Sequence, residues 1–563
     1  MFIPEIKTNA GRAYMTQFQG LNRQERSEAN ELSDCMNVTS DAYPCIASAK
    51  IPEKVISQAD IQAVIAPKYS AEEITSFTGV SGGRFYYKGE AIPFESSDMS
   101  LSGDVQLADF NGTIIMCPSM YYFSYVPDTD SGNIVKKVRK MEKGVYEQTA
   151  TVRGKEIEDD NGNVTDYENY ISISGVDFED YFSSGDSVFI EGFSDEKNNS
   201  LYIDSKYETA DDDRIMSAIV SKVKGSKLYL RLYNRKGKQI IFADASEENG
   251  ISVYVKIPTM NCVTVHNNRL WGTNPNGEQV YASKIGDPFN FFTFSGLASD
   301  SWYSEVGTAG DFIGIVSYRD NVIAFKRDYI HHIYGDKPIN FNIPKQLSDC
   351  GCIDIRSAVE VGTVLYYLGY NGFYAYAGGQ PLIISDKLAR SYKSACAWTD
   401  GIKYYVSATD TDGSAELLVY DTRYNIWLRQ GDIQAVGYFR WHNETYAASS
   451  DSVYNISRGE YGEWSVTTSR IDEGIVDKKG AFDIFVYAEL DEGSEMTVSV
   501  QTDGGFWREC RRVQYSGLKA VRIPVRFVQG DYYKIKISGK GKAVIHGLER
   551  AAATGGRRYG VYI

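Results

Sequence analysis

The stretch "GTVLYYLGYNGFYAYAGG", residues 362–379, shows the pattern from which the fold class can be predicted. Apolar and aromatic residues fill two short runs, and Asn371 and Gly372 separate them. Two such runs around an Asn-Gly pair are typical of a β-hairpin, because the tight turn needs residues that tolerate positive φ. The stretch therefore predicts two paired strands and no helix.

Units of this shape recur along the chain. They follow one another at roughly 40–50 residues, the length of one four-stranded propeller blade. Two earlier units, 82–94 and 111–126, share the shape and bring the total to about seven. We therefore predict an all-β fold, a β-propeller of about seven blades, with a pair of β-sandwiches as the alternative. The turns that begin the five later units are Asn268, Asn321, Gly362, Gly401 and Asn443.

The composition limits both the architecture and the function. The chain has 563 residues, 43% hydrophobic and 13% aromatic. This length exceeds a single core and the apolar content excludes general disorder, so we expect about two to four domains. The formal net charge of −15 argues against a sequence-independent DNA-binding surface, because neutralising phosphates requires clustered Lys and Arg.

Breaks in the repeat predict the domain boundaries. One segment is charge-rich and interrupts the spacing, which is typical of a small domain inserted into a loop. Five alternating strands with short turns near the C-terminus predict an antiparallel β-sandwich. The predicted regions are an N-terminal arm with the first strands (1–60), the N-terminal portion of the propeller (61–141), an inserted β domain (142–258), the C-terminal portion of the propeller (259–465), a C-terminal β-sandwich (466–550) and a Gly-rich basic tail (551–563).

A nucleophile motif has little support. Gly79-Val-Ser81-Gly-Gly83 matches G-x-S-x-G, but that motif requires a helix after the turn. The strand-like RFYYKGEAIPF follows here, so we interpret the stretch as a blade turn. A glycosidase needs two carboxylates ~5–10 Å apart, and nothing in the sequence selects such a pair.

Acidic turns suggest calcium loops without completing them. The turns at 158–163 and 409–413 place a Gly where a calcium loop has one. The first ligand positions are then Ile157 and Ala408, where a carboxylate is needed. Both turns are therefore predicted to join strands, and the similar stretch at 128–133 is predicted to be a loop.

Cysteines and histidines predict no metal centre. Cys350 and Cys352 form a lone C-x-C, which lacks the second half of a zinc site. His331 and His332 lie in an apparent strand, where adjacent rings face opposite sides. We accordingly predict no catalytic residue, no cofactor and no metal ligand. The histidines, which have no metal-ligand spacing, are His266, His331, His332, His442 and His546.

The stretch "YASKIGDPFNFFTF", residues 281–294, contains Gly-Asp-Pro before a run of phenylalanines. Gly286 permits an unusual φ and Pro288 fixes its own, so the tripeptide predicts a turn. We expect Phe289, Phe291 and Phe292 to pack within or between blades rather than to form a ligand cage.

Four stretches in this order resemble a known family. They are 18–50, with "GLN" and "NVTSDAYP", then 269–294, 315–336 and 364–379. The order is similar to bacteriophage and prophage tail proteins of the β-propeller kind, the nozzle or hub subunits of short tails. The resemblance covers the propeller units and the arm, and it leaves out the insert and the C-terminal domain.

The resemblance implies a structural virion protein of the tail without enzymatic activity or cofactor. Such subunits form a homo-oligomeric ring, commonly a hexamer, around the channel through which DNA leaves the particle. The neighbours would be adaptor or portal proteins on one side and tail fibre or tip proteins on the other. An acidic channel wall agrees with this interpretation because it repels phosphate and lets DNA slide.

Two alternatives remain open from the sequence. The first is a carbohydrate-binding or carbohydrate-cleaving propeller at the tail tip that engages the host surface, with two carboxylates and an exposed Trp in a cleft. The second is a propeller adhesin of a bacterial surface, against which the missing signal-peptide pattern weighs. No stretch has the ~18 apolar residues of a membrane span, so we expect assembly in the bacterial host's cytoplasm and a place in the virion tail.

Overall fold

The computed structural model describes residues 10–66, 74–127, 134–201, 214–344, 347–474, 476, 478–526 and 529–554. The chain divides into two compact units, residues 1–82 with 356–563, and residues 83–355. Among the described residues, regular helix is confined to single 3-10 turns at Phe178–Asp180, Glu196–Asn198 and Asp386–Leu388. In the same ranges, no helix has the length and apolar character needed to cross a membrane.

The N-terminal quarter of the chain forms short antiparallel strands, many of them joined by tight turns. Strands β6–β9 make the first of the four-stranded sheets, and β10–β13 make the second. In both, neighbours along the chain are neighbours in the sheet, which is the order that successive hairpins produce. The strands are β1 (Ala10–Met15), β2 (Leu32–Met36), β3 (Val38–Thr39), β4 (Ile46–Ser48), β5 (Lys50–Ser57), β6 (Ile61–Val64), β7 (Gly79–Ser81), β8 (Arg84–Tyr87), β9 (Glu90–Ala91), β10 (Gln106–Phe110), β11 (Thr113–Cys117), β12 (Tyr121–Ser124) and β13 (Arg139–Lys140).

A seven-stranded sheet follows and interrupts the series. It has its own core, with Val152, Ile171 and Leu230 among about twenty buried apolar side chains. A separate core of this size is what allows the segment to be a domain in itself. Its strands are β14 (Lys143–Glu158), β15 (Val164–Ile173), β16 (Ser187–Glu191), β17 (Ser217–Lys224), β18 (Lys227–Tyr233), β19 (Gln239–Ile240) and β20 (Ala245–Val255).

Five more sheets of four strands come after the insert. The third to sixth are β21–β24, β25–β28, β29–β32 and β33–β36, and the seventh consists of β37–β39 and the N-terminal β5. The strands are β21 (Cys262–His266), β22 (Arg269–Thr273), β23 (Gln279–Ala282), β24 (Trp302–Glu305), β25 (Phe312–Tyr318), β26 (Asn321–Lys326), β27 (Tyr329–Ile333), β28 (Leu347–Ser348), β29 (Asp354–Val361), β30 (Val364–Gly369), β31 (Gly372–Tyr376), β32 (Leu382–Ile383), β33 (Tyr392–Thr399), β34 (Lys403–Asp410), β35 (Ala415–Asp421), β36 (Ile426–Arg429), β37 (Gly437–Trp441), β38 (Glu444–Ala448) and β39 (Ser452–Tyr461).

The second, third and fourth sheets pack face to face through apolar side chains. Phe291 and Leu270 of the third-sheet region pack with Ile115 of the second sheet. Trp271 of the third sheet shares a second cluster with Ile315 of the fourth. Radially repeated four-stranded sheets with cores between them are the architecture of a β-propeller. The predicted all-β propeller with additional β domains is confirmed.

The C-terminal strands form two further sheets, one of six strands and one of five. Their buried faces carry Ile484, Val486, Val498 and Ile537, as expected for strands that alternate inward and outward in a sandwich. The strands are β40 (Glu463–Thr468), β41 (Lys479–Leu490), β42 (Glu495–Thr502), β43 (Arg508–Gln514), β44 (Gly517–Pro524), β45 (Tyr533–Lys540) and β46 (Ala543–Thr554).

The N-terminal strands β1 to β4 belong to these two sheets. The predicted N-terminal arm is therefore part of the C-terminal β domain. Strands β1 and β4 pair with β46, and β2 pairs with β40. The pairing satisfies backbone groups that the sheets would otherwise leave open. The expected tail also begins later than predicted, because β46 continues through Thr554; residues 555–563 lie outside the described residues.

Candidate functional site

An open cleft of about 340 Å³ lies between the sixth and seventh sheets. Residues 39–52 of the N-terminal segment form its third wall. Leu417 and Ile456 contribute apolar surface to the lining. We call this feature the blade cleft and define it by the polar and aromatic side chains Asp41, Trp398, Asp400, Tyr405, Arg440 and Asn443.

The sixth-sheet wall is held by one carboxylate. Asp400 lies in the β33–β34 turn, and one of its oxygens accepts hydrogen bonds from the backbone N–H groups of Ile402 (2.8 Å) and Lys403 (2.7 Å). The Tyr405 hydroxyl donates to its other oxygen at 3.0 Å. Burial and the charge of Asp400 raise the pKa of Tyr405 above its ordinary value. Trp398, half-buried, lies with its ring centroid 6.1 Å from that of Tyr405, so a rigid support fixes the indole.

The seventh-sheet wall presents a guanidinium. Arg440 lies near the end of β37, and its Nε donates to the His442 carbonyl at 3.0 Å. One of its terminal nitrogens donates to Asn443 Oδ1 at 3.3 Å. Among the described residues Arg440 has no carboxylate within ion-pair distance, and it is exposed. Its remaining N–H groups are therefore free to bind a ligand.

The N-terminal wall is fastened by buried polar contacts. Lys403, 4% exposed, donates through Nζ to Thr39 Oγ1 at 3.1 Å and to the Asp41 carboxylate. Partial burial raises the pKa of Asp41, but the hydrogen bond and charge of Lys403, the hydrogen bond from Thr39 and the charge of Arg423 together outweigh it and leave that pKa below its usual value. Ser40 donates to Asp421 at 2.6 Å. Asp41 is thus ionised at neutral pH, with 69% of its side chain exposed.

This set of groups suits a polyhydroxylated ligand. An indole offers a flat apolar face, while carboxylate, amide and guanidinium groups offer hydrogen bonds in several directions. A glycosidase acid would need a raised carboxyl pKa, and that of Asp41 is lowered. The arrangement fits recognition of hydroxyl groups more directly than proton donation.

The G-x-S-x-G stretch forms a hairpin. Ser81 ends β7, Gly82 and Gly83 make the turn, and β8 follows as a strand. The Ser81 hydroxyl donates to the Ala59 carbonyl at 2.6 Å and accepts from Gln58 at 2.7 Å. A hydroxyl that is occupied in this way, without a histidine beside it, has no activating base.

The acidic turns also join strands. Asp159 Oδ1 accepts from the backbone N–H groups of Asn161 and Asn163 in the β14–β15 turn. Asp410 Oδ1 does the same for Asp412 and Ser414 between β34 and β35. These are local turn bonds of the Asx kind. The stretch 128–133 lies outside the described residues.

The remaining candidates are dispersed. Cys350 and Cys352 are buried, and burial raises the pKa of Cys350 to about 11. His331 is fully buried, whereas the next ring, His332, stacks on Tyr334. Within the residues that the structure describes, no three His, Cys, Asp or Glu side chains come together as metal ligands would.

Sequence reasoning missed the residues of the blade cleft. Trp398 and Asp400 lie near a predicted hairpin turn, but Asp41 lies more than 350 residues away along the chain. No fixed spacing connects side chains that separate sheets and an N-terminal turn bring together. An Asp-Gly turn after a Trp was the only local signal, and it is common in β proteins.

Comparisons with known proteins give structural likeness only. No protein-family model matches the chain. No curated protein matches its sequence. The exo-β-1,3-galactanase of Phanerochaete chrysosporium, solved with galactose, is 10% identical over 50% of this chain and 94% of that one, with a TM-score of 0.20.

Two other solved structures show a similar degree of likeness. A family 43 arabinoxylan arabinofuranohydrolase from Bacillus subtilis, in complex with cellotetraose, is 9% identical over 51% of this chain and 94% of that one, with a TM-score of 0.17. A Trypanosoma rangeli sialidase is 8% identical over 89% of this chain and 95% of that one, with a TM-score of 0.21.

These neighbours correct one expectation. The prediction of a protein without enzymatic activity is wrong as it stands, because the solved structures that the chain resembles include glycoside hydrolases. At these identities and TM-scores the likeness identifies no reaction of this chain. None of the three is a phage protein.

Proposed function

We propose that this chain is a carbohydrate-binding β-propeller protein whose ligand occupies the blade cleft. The observation that carries the proposal is the half-buried Trp398 ring, backed by Tyr405, with Asp400 and Arg440 in the same cleft. Ligand sites are concave and combine apolar surface with a few placed polar groups. A sugar ring stacks on the indole, and its hydroxyls bond to the surrounding carboxylate, amide and guanidinium.

The test is a glycan array probed with the full-length chain. We expect a defined set of glycans to bind, and Trp398→Ala to weaken their binding about ten-fold or more, because about 1.4 kcal/mol of lost contact is a factor of ten. Arg440→Gln should weaken the same glycans. Tyr370→Ala, which removes a 67% exposed aromatic ring outside the cleft, is the matched control and should leave glycan binding unchanged. Absence of any glycan binding, or equal binding by Trp398→Ala, would contradict the proposal.

A second measurement on the same samples distinguishes cleavage of a glycan from binding alone. Released reducing sugar is measured over hours with each glycan that binds. Product that disappears in Asp41→Asn or Asp400→Asn would make the cleft a catalytic site. Binding without product would make it a recognition site.

The second candidate is a tail nozzle or hub subunit of a short-tailed bacteriophage. It is supported by the ordered resemblance of residues 18–50 and 269–294 to that family, and by the net charge of −15. In this proposal the protein forms a ring, with a hexamer favoured, between adaptor or portal and fibre or tip proteins of the virion. DNA passes through the ring without sequence-specific binding.

Negative-stain microscopy of the purified protein and of phage particles tests this candidate. Rings with a central opening, and labelling of the tail by an antibody to the chain, are the expected results. A monomer under all conditions, absent from the particle, would contradict it. The two candidates are compatible, because a tail-tip subunit can bind a host glycan.

A further inference from the structure

A second groove, formed by different residues, lies on the C-terminal β-sandwich. It has a volume of about 320 Å³, and Phe506, Trp507, Arg508 and Arg526 are among the residues that line it. The side chains of Phe506 and Trp507 are 99% and 40% exposed. Adjacent exposed rings of this size on a polar β domain indicate a contact surface.

The turn before the two rings is structurally fixed. Asp503 and Gly504 both have positive φ, 48° and 70°, as a tight hairpin turn requires. The Asp503 carboxylate accepts hydrogen bonds from the backbone N–H groups of Asp531 (2.7 Å) and Tyr532 (3.0 Å). These bonds fix the backbone just before the two rings, which lowers the entropy cost of ordering this segment on binding.

Two arginines of the groove have no acidic partner. The nearby Arg512 pairs with Glu509 at 3.7 Å, and Arg522 pairs with Asp483 at 2.8 Å. Within the described residues, neither Arg508 nor Arg526 has a carboxylate at ion-pair distance, and both are exposed. Unpaired guanidinium groups beside aromatic rings, on a chain with a net charge of −15, form a local site for an anion.

We propose that this groove binds an acidic polysaccharide, with a sugar ring stacked on Trp507 or Phe506 and its carboxylate held by Arg508 and Arg526. Guanidinium matches a carboxylate in two parallel hydrogen bonds, and the aromatic faces match the apolar face of a sugar. The proposal goes beyond the blade cleft, since it rests on other residues and holds whether or not that cleft binds a glycan.

Other occupants fit the charges less well. The chain's own C-terminal residues include Arg557 and Arg558, which carry the same sign as the groove. A long nucleic acid would meet an overall acidic protein in which, among the described residues that line the groove, two arginines are unpaired, and phosphate binding scales with the number of cations. A membrane surface would take both rings but would have no need of a groove.

The experiment measures binding of the full-length protein to polygalacturonate by titration calorimetry and by affinity electrophoresis. Dextran serves as the uncharged polymer. We expect polygalacturonate to bind and dextran to bind at least about ten-fold more weakly. Arg508→Gln/Arg526→Gln and Phe506→Ala/Trp507→Ala should each weaken polygalacturonate binding by about ten-fold or more.

A matched control tests the specificity of the charge effect. Lys224→Gln/Arg235→Gln removes two exposed charges from the inserted domain and should bind polygalacturonate like the wild type. The proposal is overturned if polygalacturonate does not bind, if dextran binds equally, or if the groove variants bind as the wild type does. It is also overturned if a 20-nucleotide single-stranded DNA or phosphatidylglycerol vesicles bind the groove as tightly as polygalacturonate.

Discussion

Arg269 holds an irregular segment against a regular sheet. Its side chain is 1% exposed, and it donates to the carbonyl oxygens of Ser283 (2.6 Å), Ala298 (2.9 Å) and Asp300. Burial lowers its pKa to about 10, so the guanidinium stays charged at neutral pH. Without Arg269, the three carbonyl oxygens could bind water only if the segment moved away from the sheet.

Arg269→Met should therefore destabilise the protein. The substitution keeps much of the aliphatic volume but leaves buried carbonyls unpaired, at a cost of roughly 3 kcal/mol or more. The midpoint of urea unfolding measures the effect. Arg235→Met, at an exposed position, is the control, and equal midpoints for the two variants would refute this role.

His331 gives the protein a pH dependence. Its ring is fully buried, and Nε2 lies 2.8 Å from Thr308 Oγ1. Burial, together with the charge of Lys326, lowers its pKa from 6.5 to about 4. Between these values the unfolded chain binds the proton and the folded chain does not, so stability falls as the pH decreases from about 6.5 to about 4.

The variant His331→Gln removes this contribution. The wild type should lose roughly 2–3 kcal/mol more than the variant between pH 7 and pH 4.5. The thermal unfolding midpoint of each protein is measured at both pH values, and the decrease in midpoint from pH 7 to pH 4.5 is compared between the wild type and the variant. An equal decrease in the two proteins would show that the pKa of His331 is the same in the folded and the unfolded chain.

At the scale of elements, the seventh sheet depends on a strand from the opposite end of the sequence. Strand β5 pairs with β39, and Gly459 lies opposite Pro52 in that pairing. Gly459 has a φ of +135°, and an added Cβ would lie 1.9 Å from the Ile51 carbonyl oxygen. This glycine lets two backbones approach where the register shifts.

Gly459→Ala should consequently weaken the closure of the seventh sheet. The clash is with backbone, so relief requires β5 to move, at roughly 2 kcal/mol or more. Hydrogen exchange of the β5 amides should increase along with a lower unfolding midpoint. Gly379→Ala is the control, because its added Cβ meets nothing within 4 Å; the same loss in both variants would argue against the contact.

The hairpins could be predicted and the closing strand could not. The turns at Asn268, Asn321, Gly362, Gly401 and Asn443 all lie at or beside the first turn of a four-stranded sheet. Their signal is local, since the turn residues that tolerate positive φ and the alternating apolar residues of the strands lie within about ten residues of one another. The pairing of β5 with β39 joins segments about 400 residues apart and has no local signature.

For the whole molecule, the residues of the blade cleft could not be predicted from local sequence patterns either. Trp398, Arg440 and Asp41 come from two sheets and the N-terminal segment, so no motif contains them. The packing of the Phe residues in 281–294, in contrast, could be predicted from the sequence. Phe291 is buried in the core between the second and third sheets, with Phe289 and Phe292 packed against it, as the short-range apolar pattern predicted.

A crystal structure of the full-length protein with the glycan that gives the strongest array signal shows whether the blade cleft binds a sugar. We predict a sugar ring in van der Waals contact with Trp398, and hydrogen bonds between its hydroxyls and Asp400, Arg440 or Asn443, with Arg440 as the donor. A sugar bound elsewhere on the chain, with the blade cleft unoccupied at saturating glycan, would contradict it.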